Sequence, residues 1–141
     1  MKRSDIEALV ERWLDIVRTG NVALFDEILR ENVRDDSAAV PTYGVETFKA
    51  RALALHRAFS NFQTSLDELV VDVEDARIAW RWSVHVTPRD ASAFAGIAAT
   101  NKRITLRGVN FQRIQSGRIA EHFTCFSSEP TSALLASLRT E

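Results

Sequence analysis

Two of the three histidines lie where a side chain could move a proton. His85 and His122 fall in segments predicted to be β-strands, and an ordinary pKa of about 6.5 makes either one a possible base at neutral pH. Asn110 and Thr124 lie in adjoining segments, where Asn110 could hold a carbonyl group or water by hydrogen bonding. These residue types suit removal of a proton beside a carbonyl group, which needs no metal. The commoner role of a strand histidine is structural or at the surface, and this alternative stays open.

Aromatic side chains near these histidines could line a binding cavity. Trp80 and Trp82 share one face of a predicted strand, and their rings suit a small apolar or flat polycyclic ligand. The alternative is that both belong to the core. His85 has the opposite parity, so it cannot face inward together with the tryptophans unless a β-bulge intervenes. Tyr43 precedes a predicted helix, where it lies at the cavity mouth or packs over the helix end.

The composition indicates one domain that spans residues 1–141. The chain is 45% hydrophobic and 26% charged, and its net charge of −1 supplies no field to attract nucleic acid or an anionic membrane. The single cysteine, Cys125, excludes an internal disulfide and a cysteine-based zinc site, and fits a cytoplasmic protein. No glycine-rich phosphate loop or His-Glu-x-x-His motif is present in the sequence, so we expect no cofactor and no metal.

The first 62 residues show the three-and-four spacing of amphipathic helices. We predict helices over residues 4–18, from Asn21 onward as a shorter second helix, and over 45–62. Ser4 and Glu7 could form a capping box for the first helix, and Gly20 could end it in a left-handed conformation. A turn is expected at residues 41–44.

After residue 64 the pattern becomes that of short strands, predicted over residues 66–73, 77–87, 102–114 and 118–127. The last two form an antiparallel hairpin through residues 115–117. On the final strand, His122 and Phe123 have opposite parity, so only one faces a cavity. Residues 132–138 could add a short helix or an edge extension. Helices first and strands afterward predict an α+β fold, with three N-terminal helices covering one face of a curved antiparallel sheet.

Residues 108–123, GVNFQRIQSGRIAEHF, resemble the penultimate hairpin of SnoaL-like polyketide cyclases, whose second strand carries a signature close to I-V-E-H-W. Residues 94–100 are similar to the family's Phe-x-Gly-x-x-x-Thr loop, and His85 is similar to the histidine that ends the preceding strand. The resemblance implies a cone-shaped sheet of the nuclear-transport-factor-2-like type around an apolar pocket. It also implies a homodimer formed through the outer sheet face.

The resemblance further implies aldol cyclisation or isomerisation of an apolar, carbonyl-bearing small molecule, without a cofactor. The family usually places a carboxylate on the sheet, whereas Asn110, Thr124 and Ser127 stand at the expected positions. His85 and His122 are therefore our candidate bases, with Asn110 and Thr124 beside them, and Ser127 is a candidate substrate contact. The alternative is a non-catalytic module of the same fold that binds a small molecule or dimerises. A weaker alternative is addition or removal of water.

Overall fold

The computed structural model describes residues 1–90 and 102–127, with residue 127 described in its backbone only. The helices are α1 (Arg3–Thr19), α2 (Phe25–Ile28), which continues a 3₁₀ turn at Val22–Leu24, and α3 (Glu46–Ala58). The strands are β1 (Leu29–Asp35), β2 (Thr42–Tyr43), β3 (Phe59–Asp72), β4 (Arg77–Pro88), β5 (Ile104–Gln115) and β6 (Arg118–Ser127). The segments at 94–100 and 132–138 lie outside the described residues.

The strands form one curved open sheet in the order β2-β1-β6-β5-β4-β3. Every pair is antiparallel except β1 and β6, which run parallel. Three helices and this sheet confirm the predicted α+β fold class. The parallel pair was not expected, because the sequence predicts a second helix that carries Leu29 inward and ends near the polar run at residues 34–36. Val33 and Asp35, on one face of β1, are nevertheless buried.

The first helix begins one residue before its predicted start. The Lys2 backbone N–H donates to Asp5 Oδ2 at 2.8 Å, so Asp5 fills the capping role predicted for Glu7. The prediction for Gly20 is confirmed: its φ of 76° is left-handed, and its N–H donates to the Ile16 carbonyl at 2.8 Å.

The third helix ends at Ala58, four residues earlier than predicted. Phe59 and Phe62 have helical spacing, yet both belong to β3. The pairing of β3 with β4 shifts between Ser60 and Gln63, and Asn61 has a φ of 56°. Because this irregularity inserts a residue, two side chains three apart reach the same face of the sheet. The bulge therefore gives this strand the spacing of apolar residues that is expected at the end of a helix.

The inner face of the sheet packs against α1, and the core lies between them. On β4 the side chains of Ile78, Trp80, Val84 and Val86 are buried there. Trp13 of α1 contacts Trp80 edge-on, with ring centroids 6.3 Å apart. No helix within the described parts of the chain is both long and apolar enough to cross a membrane.

Candidate active site

A cavity of about 130 Å³ lies between the inner sheet face and the helices. Engineered cavities of about 150 Å³ bind benzene, so this one holds roughly one six-membered ring. Its described polar lining is confined to four side chains: Arg51, Asn110, His122 and Thr124. The remaining lining is formed by Trp13, Leu14, Val17, Phe25, Phe48, Ala52, Leu55, Phe62, Trp80, Trp82, Val84, Leu106 and Phe126.

The pairing of β5 with β6 brings the polar lining together. Asn110 lies opposite Thr124, and Gln112 lies opposite His122. His122 also lies beside Asp35 across the parallel β1–β6 pair. Since residues two apart on a strand share a face, Asn110 and Gln112 face inward together, as do His122 and Thr124.

The imidazole of His122 is held by a chain of two buried hydrogen bonds. Trp80 Nε1 donates to Gln112 Oε1 at 2.9 Å, and Gln112 Nε2 lies 3.0 Å from His122 Nδ1. An indole N–H can only donate, so the amide oxygen of Gln112 must face Trp80 and its NH₂ group must face His122. His122 Nδ1 is therefore an acceptor, and the neutral ring carries its hydrogen on Nε2. Among the described residues, Nε2 has no hydrogen-bond partner.

The ring of His122 is enclosed by aromatic side chains. It stacks on Trp13 at 4.8 Å between centroids and meets Phe48 edge-on at 5.2 Å. Burial lowers the pKa of His122 to about 4, although the charge of Asp35 acts in the opposite direction. The imidazole is therefore neutral at pH 7, a hydrogen-bond donor and a weak base.

A second indole fixes the amide of Asn110 in the same way. Trp82 Nε1 donates to Asn110 Oδ1 at 3.1 Å, which turns the NH₂ group of Asn110 away from the indole. Asn110 is 2% exposed, and its Nδ2 has no hydrogen-bond partner in the described parts of the chain. The cavity therefore contains two oriented N–H donors without acceptors among the described residues, one from Asn110 and one from His122.

Trp82 lies directly over Gly108, its partner on β5. A Cβ atom at position 108 would overlap the indole ring and would lie 2.8 Å from Phe126 Cβ. Glycine is thus needed for Trp82 to lie against the sheet and to reach Asn110.

Arg51 of α3 forms an ion pair with Asp35 of β1 at the edge of the cavity. Arg51 Nη2 lies 2.6 Å from Asp35 Oδ2. Ser37 donates two hydrogen bonds to Asp35 Oδ1, one from its backbone N–H and one from its hydroxyl. Burial raises the pKa of Asp35, but the hydrogen bonds from Ser37 and Arg51 outweigh it and leave the pKa below its ordinary value. The Ser37 hydroxyl oxygen also accepts the backbone N–H of Thr124, so this cluster ties β1 to β6.

The structure brings five of the eight predicted site residues to the cavity: Trp80, Trp82, Asn110, His122 and Thr124. His85 is not among the lining residues. The tryptophans face inward and no bulge separates them from His85, so its ring points to the outer face and bonds Thr105 Oγ1 at 2.9 Å. Tyr43 is 63% exposed on β2 and does not line the cavity. Ser127 pairs with Arg107 on β5, and its side chain lies outside what is described.

Sequence reasoning missed Arg51, Asp35 and Gln112. Gln112 has the parity of Asn110, so the strand assignment itself would have found it. Arg51 lies one turn after Phe48 of the apolar stripe, which is a usable signal. Asp35 belongs to the polar run at the predicted end of the second helix, and its burial follows only from its place on β1. Within the described residues, no group of three or more His, Cys, Asp or Glu side chains is arranged to hold a metal ion.

Helices against a curved open sheet, with a small apolar cavity between them, define the nuclear-transport-factor-2-like class of folds. The chain belongs to the SnoaL-like polyketide cyclase family, whose model matches residues 7–128. Its fold is similar to TsrD from Streptomyces laurentii, at TM-score 0.78 and 22% identity over 99% of this chain and 96% of that chain. It is also similar to a SnoaL-like polyketide cyclase from Agrobacterium tumefaciens, at TM-score 0.71 and 14% identity over 91% and 94% of the two chains. No protein of curated function matches the sequence.

Proposed function

We propose that this protein is a cofactor-independent enzyme that promotes proton transfer beside a carbonyl group, as in aldol cyclisation or isomerisation. The substrate is a small, largely apolar molecule bound in the cavity. The observation that carries the proposal is the pair of N–H donors on two buried residues that line the cavity, Asn110 Nδ2 and His122 Nε2, neither of which has an acceptor among the described residues.

Such donors stabilise the negative charge that develops on a carbonyl oxygen when the neighbouring carbon loses its proton. In a cavity that excludes water, preorganised donors are worth more than in bulk solvent, and one donor contributes about 3 kcal/mol in well-studied cases. A neutral imidazole with a low pKa suits this role, because at pH 7 its Nε2–H donates a hydrogen bond to the developing oxyanion as an uncharged donor. His85, on the outer face, has no part in the proposal.

The proton acceptor is a separate question, because the described lining contains no carboxylate. His122 Nδ1 already accepts a hydrogen bond from Gln112, and a pKa of about 4 makes the ring a poor base at pH 7. We therefore assign the acceptor role to a water molecule or a basic group of the substrate. Thr124, opposite Asn110, is placed to orient such a water.

Deuterium uptake tests the proposal directly. We expect small apolar ketones incubated with the protein in heavy water to gain deuterium at the α-carbon. Asn110→Ala should slow the exchange at least roughly tenfold, equivalent to about 1.4 kcal/mol of transition-state stabilisation. Asn21→Ala, an exposed position outside the cavity, is the matched control and should retain the rate. Unchanged exchange in Asn110→Ala would remove this residue from the mechanism.

A non-catalytic binding module is the second candidate, and the same lining favours it: no described carboxylate, and a histidine of low basicity. Native mass spectrometry of the purified protein distinguishes the two. A retained, chemically unchanged ligand, together with no exchange across the ketone panel, would favour binding alone.

We also propose that two copies associate through the outer sheet face. An apolar row formed by Val70, Ala79, Phe111 and Phe123 crosses β3, β4, β5 and β6. Phe111 is 55% exposed and Phe123 is 40% exposed. The next row toward the β5–β6 turn contains Asp72, Arg77, Arg113 and Glu121, so the apolar row is bordered by charges of both signs. A surface with charges of both signs can pair with the same surface of a second copy, which supports a symmetric dimer.

The cytoplasmic location stays a prediction.

A further inference from the structure

The charged group in the described lining of the cavity is a guanidinium. Arg51 has five N–H donors. Within the described residues it forms one hydrogen bond, to Asp35. Its side chain is 44% exposed, whereas that of Asp35 is 3% exposed. The guanidinium is thus the accessible member of the pair, and Arg51 rather than Asp35 lines the cavity.

Asp35 offers little to a ligand's donors, because its side chain is 3% exposed and both of its oxygens already accept hydrogen bonds. Oδ2 accepts from Arg51, and Oδ1 accepts from the backbone N–H and the hydroxyl of Ser37. Its lowered pKa keeps it ionised, so it holds Arg51 in place at neutral pH.

The guanidinium also contacts an aromatic ring. Its Cζ atom lies over the ring of Phe48, 5.5 Å from the centroid. The group is planar by its own chemistry, so its remaining N–H groups lie in one plane. A planar fork of donors matches a carboxylate, which accepts two parallel hydrogen bonds.

From this geometry we infer that the cavity selects small apolar acids, whose carboxylate binds Arg51 while the ring fills the space beside Trp80 and Trp82. Asn110 and His122 add N–H donors to the same lining, which suits a ligand with a further acceptor such as a carbonyl oxygen. The inference deepens the proposed function and rests on it, since both take this cavity as the ligand site.

Calorimetry with two matched probes tests the inference. The acid 3-phenylpropanoate and the amide 3-phenylpropanamide share size and shape and differ in charge. We expect the wild-type protein to bind the acid roughly tenfold more tightly, and Arg51→Gln to reduce that ratio to about one. Arg57→Gln makes the same charge change on the same helix but outside the cavity, and should keep the wild-type ratio.

Because Arg51→Gln leaves Asp35 buried without its partner, that variant can fail to fold. The double variant Asp35→Asn/Arg51→Gln removes both charges and should bind acid and amide equally. Arg51→Lys keeps the charge without the planar fork, so it should retain only part of the preference. Equal affinity of the wild-type protein for acid and amide, binding of neither probe, or an unchanged ratio in the double variant would each overturn the inference.

The deuterium assay separates this inference from the proposed function. Exchange of neutral ketones as fast as keto acids of equal size would overturn the selection for carboxylates and leave proton transfer standing. A tenfold preference for the acid without exchange of any ketone would support the inference and reject the catalysis.

Discussion

At the scale of single residues, His122 illustrates how neighbours decide what an imidazole can do. Gln112 fixes its tautomer, and aromatic burial lowers its pKa to about 4. A histidine expected to serve as a base is thereby made a neutral donor at pH 7. The sequence places His122 on a strand but contains no local sign of this change, because the causes lie on α1, α3 and β5.

The low pKa predicts how stability depends on pH. The unfolded imidazole takes up a proton near about pH 6.5 and the folded one only near pH 4, so the unfolded state binds more protons between these values. Stability from this group is therefore present above pH 6.5 and is lost as the pH falls to about 4, a decrease of about 3 kcal/mol. Urea unfolding at several pH values measures it. His122→Asn, which keeps an acceptor for Gln112, should lack this component, and equal profiles for the two proteins would contradict the assignment.

The ion pair at the cavity edge marks a limit of sequence interpretation at this scale. Asn110, Thr124 and the two tryptophans could be predicted because strand parity assigns them to a face. Arg51 and Asp35 are 16 residues apart and lie on different elements. Their contact depends on β1 entering the sheet beside β6, which no local pattern reveals.

At the scale of elements, β5 affects the shape of the cavity because it has no side chain at Gly108. Gly108 leaves space for the indole of Trp82, which then reaches Asn110 on the same strand. The backbone of Gly108 is not left-handed, so the absence of a side chain is the feature that is required.

Gly108→Ala therefore tests the packing of Trp82. The added methyl group should displace the indole into the cavity, break its hydrogen bond to Asn110 and destabilise the protein by about 1–3 kcal/mol. Urea unfolding measures the free energy of unfolding, and calorimetry measures whether the affinity for a cavity probe falls when the indole occupies part of the cavity. In a Trp82→Phe background the same substitution should cost less, since the smaller ring does not occupy that space. An equal cost in both backgrounds would place the strain elsewhere.

The elements that could be predicted are those with one strong periodicity. The helix α1 and the strands β4, β5 and β6 have regular spacing and were found near their observed bounds. Two of the errors, at β1 and at the start of β3, share a cause, since both segments contain an irregularity that shifts the pairing. A shift in register alters the period of buried side chains, and at Phe59 and Phe62 the altered period equals that of a helix.

At the scale of the whole molecule, the sheet has two faces with different chemistry. The inner face encloses the cavity. The outer face presents the apolar row, which is in contact with water unless a second copy covers it. Stable symmetric interfaces bury about 800 Å² per subunit, so the proposed interface includes outer-face side chains beside the row that crosses four strands.

Analytical ultracentrifugation tests the proposed dimer. The wild-type protein should sediment as a dimer at micromolar concentration, and Phe111→Lys should convert it to a monomer because a charge would be buried at the interface. Val40→Lys makes the same type of change at a position that is 75% exposed and off the sheet, and should leave the dimer intact. A monomeric wild-type protein, or a dimeric Phe111→Lys variant, would contradict the proposal.

The two indole bonds give the protein its own spectroscopic probes. The chain has three tryptophans, and the Nε1–H groups of Trp80 and Trp82 end on Gln112 and Asn110. In a nitrogen-15 NMR spectrum, the indole N–H resonance of Trp80 should therefore shift when His122 is protonated. The indole N–H resonance of Trp82 should shift when a ligand binds to Asn110. Titration of the His122 imidazole and binding of a ligand can thus be followed separately, at the Trp80 and Trp82 signals, in a protein without substitutions.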